Sequence, residues 1–167
     1  MNQSVRYASC ACGKVRCEAV GKPIFAAVCY CDDCQAGGRQ VEALSDAKPV
    51  LDPDGGAAYL AFLDGRFQCV EGEELLVGYK LKEKSPTTRY VASCCNTGMY
   101  LKFGPGFWVS AYRRNFGEAA PPLEWRNQTK FRSSDLPMPD DLPAFHRFPM
   151  RLFTKLIGAR IAKVFGR

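Results

Sequence analysis

Nine cysteines in a chain of 167 residues restrict its fold more than any other feature. Seven of them fall in three groups: Cys10-Ala11-Cys12-Gly13, Cys29-Tyr30-Cys31-Asp32-Asp33-Cys34, and Cys94-Cys95-Asn96-Thr97. Nine is odd, so a framework made wholly of disulfides leaves one thiol over. The opening MNQSVRYASCACG lacks the apolar run of a signal peptide. No stretch approaches the roughly 18 consecutive apolar residues of a membrane-spanning helix. The expectation is a soluble, cytoplasmic protein whose thiols stay reduced. In that setting clustered thiols point to a metal.

Thiolates hold zinc at about 2.3 Å in tetrahedral geometry, and a structural zinc takes four protein ligands. Cys10 and Cys12 with Cys94 and Cys95 would supply four and tie the first strand to a late one. The glycine after Cys12 permits the turn that aims two sulfurs at one centre. Cys29, Cys31 and Cys34 supply three, and the only histidine, His146, lies far off in a proline-rich region. Water or a substrate would be the fourth partner, as at a catalytic zinc. Three anionic sulfurs make zinc a weak Lewis acid, better suited to thiolate exchange than to peptide hydrolysis. The expected cofactor is therefore Zn2+, one or two per chain. Redox chemistry and plain packing are the alternatives for these groups. Cys17 and Cys69 stand alone on strand patterns and read as small hydrophobes. Asp32 and Asp33 read as solvated turn residues, with a catalytic role as the alternative.

The rest of the chain reads as mainly β. Val15, Cys17 and Ala19 alternate with Lys14, Arg16 and Glu18, the period of a half-buried strand. Residues 35–56 are polar and rich in Gly, Pro and Asp, which predicts loops. AAYLAFL and RFQCVEG flank Asp64-Gly65 and predict a hairpin. ELLVGYKLK, TRYVASCC, MYLKFG and FWVSAYRRNF predict further strands. Prolines between 117 and 149 exclude a long helix there. In the last segment Phe153, Leu156, Ile157, Ile161, Val164 and Phe165 recur at helical spacing. Three regions follow: a zinc-binding β domain at 1–116, a proline-rich extension at 117–146 and a basic amphipathic helix at 147–167.

The net charge of +6 is local. From Leu142 onward there are six Lys or Arg and no acid, leaving 17 basic and 17 acidic side chains in residues 1–141. A neutral body excludes the broad basic face of a nucleic-acid binder. The basic helix would lie on a membrane surface or, as commoner helices do, pack on the body or on a second copy in a homodimer.

CACGKVRCEAVGKP, then CYCDDC, then TRYVASCCNTGMYL resemble the glutathione-dependent formaldehyde-activating enzyme family, which includes the centromere protein V relatives. The likeness spans roughly residues 8–104. It implies a β-tent fold of small antiparallel sheets pinned by zinc. It implies structural ligands at Cys10, Cys12 and Cys95, and an exchangeable zinc on Cys29, Cys31 and Cys34. The implied activity is that of a carbon–sulfur lyase acting on a thiol adduct of formaldehyde. The sequence departs from the family at three places. Ala92 stands where the first late cysteine belongs, Asn96 replaces a glycine, and Tyr30 sits where many members have histidine. Cys94 would be the substitute fourth ligand if a local kink lets both neighbours reach one ion, since neighbours on a strand face opposite ways; otherwise the site has three cysteines or is empty. Two functions follow as expectations. One is an enzyme acting on glutathione or another small thiol, with Arg39, Arg89, Lys102, Arg113 and Arg114 as candidates for its carboxylates. The other is a zinc-stabilised binding module without catalysis.

Overall fold

A computed structural model describes residues 4–165. Its strands are β1 (Val5–Ser9), β2 (Arg16–Val20), β3 (Phe25–Cys29), β4 (Ala57–Leu63), β5 (Phe67–Glu71), β6 (Leu76–Tyr79), β7 (Thr87–Ala92), β8 (Thr97–Phe103), β9 (Trp108–Tyr112) and β10 (Trp125–Asn127). Two α-helices, α1 (Asp32–Glu42) and α2 (Met150–Val164), complete the set with short 3-10 turns. The protein is mainly β. One sheet has the order β1-β2-β5, the other β10-β3-β4-β9-β8-β7-β6. All pairs are antiparallel except β10 on β3.

The alternation read at 14–20 becomes β2, with Cys17 and Ala19 fully buried. They face Leu60, Phe62, Met99, Val109 and Phe116, so the small sheet packs on one face of the large one. Met99 reaches this core through a bulge: Tyr90 pairs with Tyr100 and Val91 with Gly98, which leaves Met99 as the extra residue. Each such aromatic or aliphatic side chain contributes about 1.5–3 kcal/mol on burial.

The Asp64-Gly65 turn does not make a hairpin. β4 pairs with β3 and β9, and β5 pairs with β2. The turn instead carries the chain from one sheet to the other. β4 is buried on both faces, so it sits in a sheet centre rather than beside its sequence neighbour.

Residues 35–56 are not all loop, because α1 occupies 32–42. Two glycines inside a helix cost about 1 kcal/mol each against alanine. Here they serve a close approach. A Cβ on Gly37 would lie 2.0 Å from the Arg89 guanidinium carbon, and one on Gly38 2.4 Å from the Leu51 side chain. The helix can therefore press on the sheet only because both positions are bare. Asp32 and Asp33 form its first turn, where acids suit the helix dipole.

The proline-rich stretch is threaded rather than helical. Trp125, at 0% exposure, begins β10, and Arg126 exchanges backbone hydrogen bonds with Pro143 and Phe145. Arg126 also donates to the Tyr30 hydroxyl (2.7 Å) and to Asp141 (2.8 Å), while Tyr30 donates to Asp54 (2.5 Å). Gln35 donates to the carbonyls of Tyr30 and Phe131 and accepts from Ser133. This buried polar network holds the extension on the body.

The last helix forms as expected, but most of its apolar face stays exposed. Leu152 and Leu156 pack inward beside Trp125 and Phe145. Phe153, Ile157, Ile161, Val164 and Phe165 are exposed. The basic side chains dock instead: Arg151 over Trp125 and Phe145, Arg160 over Phe107, Lys155 to Glu124 and Lys163 to Asp64. Aromatic faces and carboxylates on the body attract cations more specifically than aliphatic side chains would. Among the described residues no helix is long and apolar enough to cross a membrane.

Candidate metal centres

The cysteines converge in two places. Cys10, Cys12, Cys94 and Cys95 have their sulfurs within 4.8 Å of one another, and so do Cys29, Cys31 and Cys34. Both groups are geometrically able to hold a metal ion. All nine cysteines are free thiols.

The four-sulfur group is built from two turns. After β1 the backbone folds back, with Gly13 N–H on the Cys10 carbonyl and Cys10 N–H on the Val15 carbonyl (both 3.0 Å). Gly13 takes φ +79°, a left-handed conformation that favours glycine. Opposite, residues 93–96 form the turn between β7 and β8, closed by Asn96 at φ +51°. Cys94 and Cys95 therefore lie off the strands, and the alternation that would point them apart does not apply. Cys12 and Cys94 sulfurs stand 3.3 Å apart, Cys10 and Cys12 3.6 Å, and Cys94 and Cys95 3.9 Å. Thr97, which the cysteine pattern does not reveal, ties the turns together. Its hydroxyl accepts from Ala11 N–H and contacts the Cys95 sulfur, each at 3.1 Å. Burial would raise the Cys95 thiol, but Thr97 and Cys12 outweigh it and bring it down to about 6. Burial and then the neighbouring thiols push Cys94 up to about 12. The group joins the turn of one sheet to a turn of the other.

The three-sulfur group comes from one continuous stretch. Cys29 ends β3, Cys31 is the N-cap of α1, and Cys34 lies in its first turn. The Cys31 sulfur accepts the Cys34 backbone N–H at 3.4 Å, the position a capping serine oxygen usually fills. Hydrogen bonds from Cys29 and Cys34, that backbone N–H and the Arg89 charge hold the Cys31 thiol well below its ordinary range, against burial. Sharing with Cys31 and Cys34, together with burial, pushes Cys29 up. Arg89 itself is 1% exposed and donates from Nη2 to the Asp33 carbonyl at 2.5 Å. A buried guanidinium beside three thiols offsets the negative charge that they would carry together.

This group opens on a cavity of about 410 Å³. Its floor is one face of the large sheet, where alternate residues of each strand meet: Phe25, Ala27 and Cys29 of β3, with Tyr59 of β4 beside Ala27. Thr87 and Arg89 of β7, Leu101 and Phe103 of β8 and Trp108 and Ser110 of β9 continue it. Leu152, Phe153 and Leu156 of α2 form the roof. The alternation was readable strand by strand, but which strands share a face depends on their order in the sheet. Of the five basic residues proposed for carboxylate binding, Arg89 alone lines this cavity. Arg39 and Arg114 line a separate hollow beside Asp52, and Arg113 donates to the Pro121 carbonyl. Asp33 lines the cavity and Asp32 does not. Tyr30 turns away from it into the buried network with Asp54 and Arg126. Cys17 and Cys69 pair directly across β2 and β5, in neither group.

No curated protein matches the chain. The crystal structure of a Rhodobacter sphaeroides protein is similar at 15% identity and a TM-score of 0.48, over 69% of this chain and 91% of that one. The model of a family of unknown function (DUF6151) matches residues 1–104, the segment that contains every cysteine. The chain belongs to this DUF6151 family.

Proposed function

We propose that the protein holds two zinc ions and uses the second to bind a thiol. Cys10, Cys12, Cys94 and Cys95 form the structural site, and Cys29, Cys31 and Cys34 hold the exchangeable ion. All-sulfur donor sets without disulfides suit zinc, and four donors close a tetrahedral site whereas three leave one position to another ligand. One observation carries the reading. Three sulfurs cluster with no fourth Cys, His, Asp or Glu among the described residues, and they face a cavity. Zinc held there supplies a position for a substrate thiolate. The chain's own residues do the rest. Arg89 balances the sulfur charge, the N-terminus of α1 favours an ionised Cys31, and Thr87, Ser110 and Asn127 offer polar groups in the cavity. The motif resemblance extends the reading to a carbon–sulfur lyase acting on a thiol adduct.

A second reading, a binding module without catalysis, has its own support. Among the described residues the cavity lining has no histidine, and Asp33 is its one carboxylate. Metal analysis tests the first layer of the reading. Two zincs per chain, falling to one in Cys31→Ser, are expected. One zinc that survives the substitution overturns the second site. Cobalt substitution then reports on the thiol: its absorption bands should move when a thiol is added. Turnover of glutathione with formaldehyde separates lyase from binding module.

A further inference from the structure

We infer that the ligand of this cavity is a thiol with an apolar body, and that α2 selects it. The inference rests on the thiol-binding reading above and concerns what the thiol is attached to. Phe25, Phe103 and Trp108 on the floor face Leu152, Phe153 and Leu156 on the roof. Against this lining stand, among the described residues, two charged ones, Asp33 and Arg89. Arg89 is almost wholly buried: its Nη2 is spent on the Asp33 carbonyl, and its Nε and Nη1, which have no hydrogen-bond partner among the described residues, are left for the sulfurs or for one anionic group.

Glutathione carries two carboxylates, an ammonium and two peptide groups. Arg89, Thr87, Ser110 and Asn127 can partner some of these, but the remainder would lie against the apolar floor and roof, which is unfavourable. A hydrocarbon or aromatic body gains on entering. The cavity volume lies within the range of small-molecule sites.

The roof is the selective part. Its helix is held at its flanks by Arg151, Lys155, Arg160 and Lys163, and Leu152 and Leu156, packed beside Trp125 and Phe145, line the cavity together with Phe153. Phe153 lines the cavity and is 45% exposed, so it stands at the rim.

The test is calorimetric titration of the full-length, zinc-loaded protein with ethane-, butane- and hexanethiol, the matching alcohols, and glutathione. Affinity should rise roughly fourfold per added methylene until the cavity is full. Hexanethiol should bind more tightly than glutathione. The alcohols separate the two layers of the argument. A chain-length slope shared by thiols and alcohols supports the apolar cavity, while tighter binding of thiols than alcohols belongs to the zinc reading. A flat series in both, or glutathione tighter than hexanethiol, overturns the inference even where thiols prevail over alcohols. Phe153→Asp places a charge on the rim at an exposed position and should flatten the slope. Ile157→Asp, on the exposed face of the same helix and off the cavity, should leave it unchanged. A slope unaffected by Phe153→Asp puts the ligands elsewhere and overturns the role of α2.

Discussion

The two cysteine groups use the same atom for opposite ends. The four-sulfur group draws on turns far apart in sequence and joins two sheets. The three-sulfur group comes from six consecutive residues and joins nothing that β3 and α1 do not already connect. One gathers four protein sulfurs, and the other gathers three and faces a cavity. The difference teaches that sulfur spacing alone does not separate a staple from a site. What separates them is whether the ligands bridge remote elements or line a space.

The largest expected effect breaks the staple. Cys10→Ser removes a buried donor from the cross-sheet group and should lower the melting temperature by roughly 10 °C or more. Cys31→Ser should lower it by less than half as much while removing one zinc. Equal melting temperatures for the two variants would erase the distinction between them.

A smaller effect probes the ground beneath the three-sulfur group. Gly37→Ala in an ordinary helix would stabilise by up to about 1 kcal/mol. Here the new methyl meets the Arg89 guanidinium, so a loss of roughly 1–3 kcal/mol in denaturant unfolding is expected. Gly158→Ala in α2 meets nothing within 4 Å and should not destabilise. If Gly37→Ala also proved neutral, Arg89 would be free to move, and its place beside the sulfurs would not be held by packing.

The smallest effect concerns the roof. Burial raises the Asp64 carboxyl, but Lys163 outweighs it and the net direction is down. Its contribution is therefore present above the ordinary carboxylate value near pH 4 and is lost as pH falls through the lower folded value. The exposed pair contributes less than about 1 kcal/mol. Protection from hydrogen exchange in α2, taken against the intrinsic rate at each pH, should fall below about pH 4 and in Asp64→Asn at neutral pH, while protection in β7 and β8 holds. A uniform loss of protection in both regions would show that the helix does not open separately.

Much of this was readable in the chain. β2 and the strands from β4 to β9 announced themselves through alternating or β-branched and aromatic runs, and the cysteine groups because thiols at such spacings have few other uses. α1 was hidden because Gly37 and Gly38 lower its helix propensity, and the reason for them is Arg89 and Leu51, remote in sequence. The Asp64-Gly65 turn misled because a tight turn between apolar runs does not record which sheet each run joins. Much of the apolar stripe of α2 stays exposed because periodicity marks the stripe but not the rings of Trp125, Phe145 and Phe107 that draw its basic side chains onto the body. The cavity needed strand order, which no local pattern carries.

The roof is also the last part of the chain to be made. Synthesis runs from the N-terminus, so Cys29, Cys31 and Cys34 leave the ribosome well before Leu152 and Phe153. During that interval the three thiols stand open to the metal pool of the surrounding solution. A metal ion taken up by this group would enter before Leu152, Phe153 and Leu156 roof the cavity.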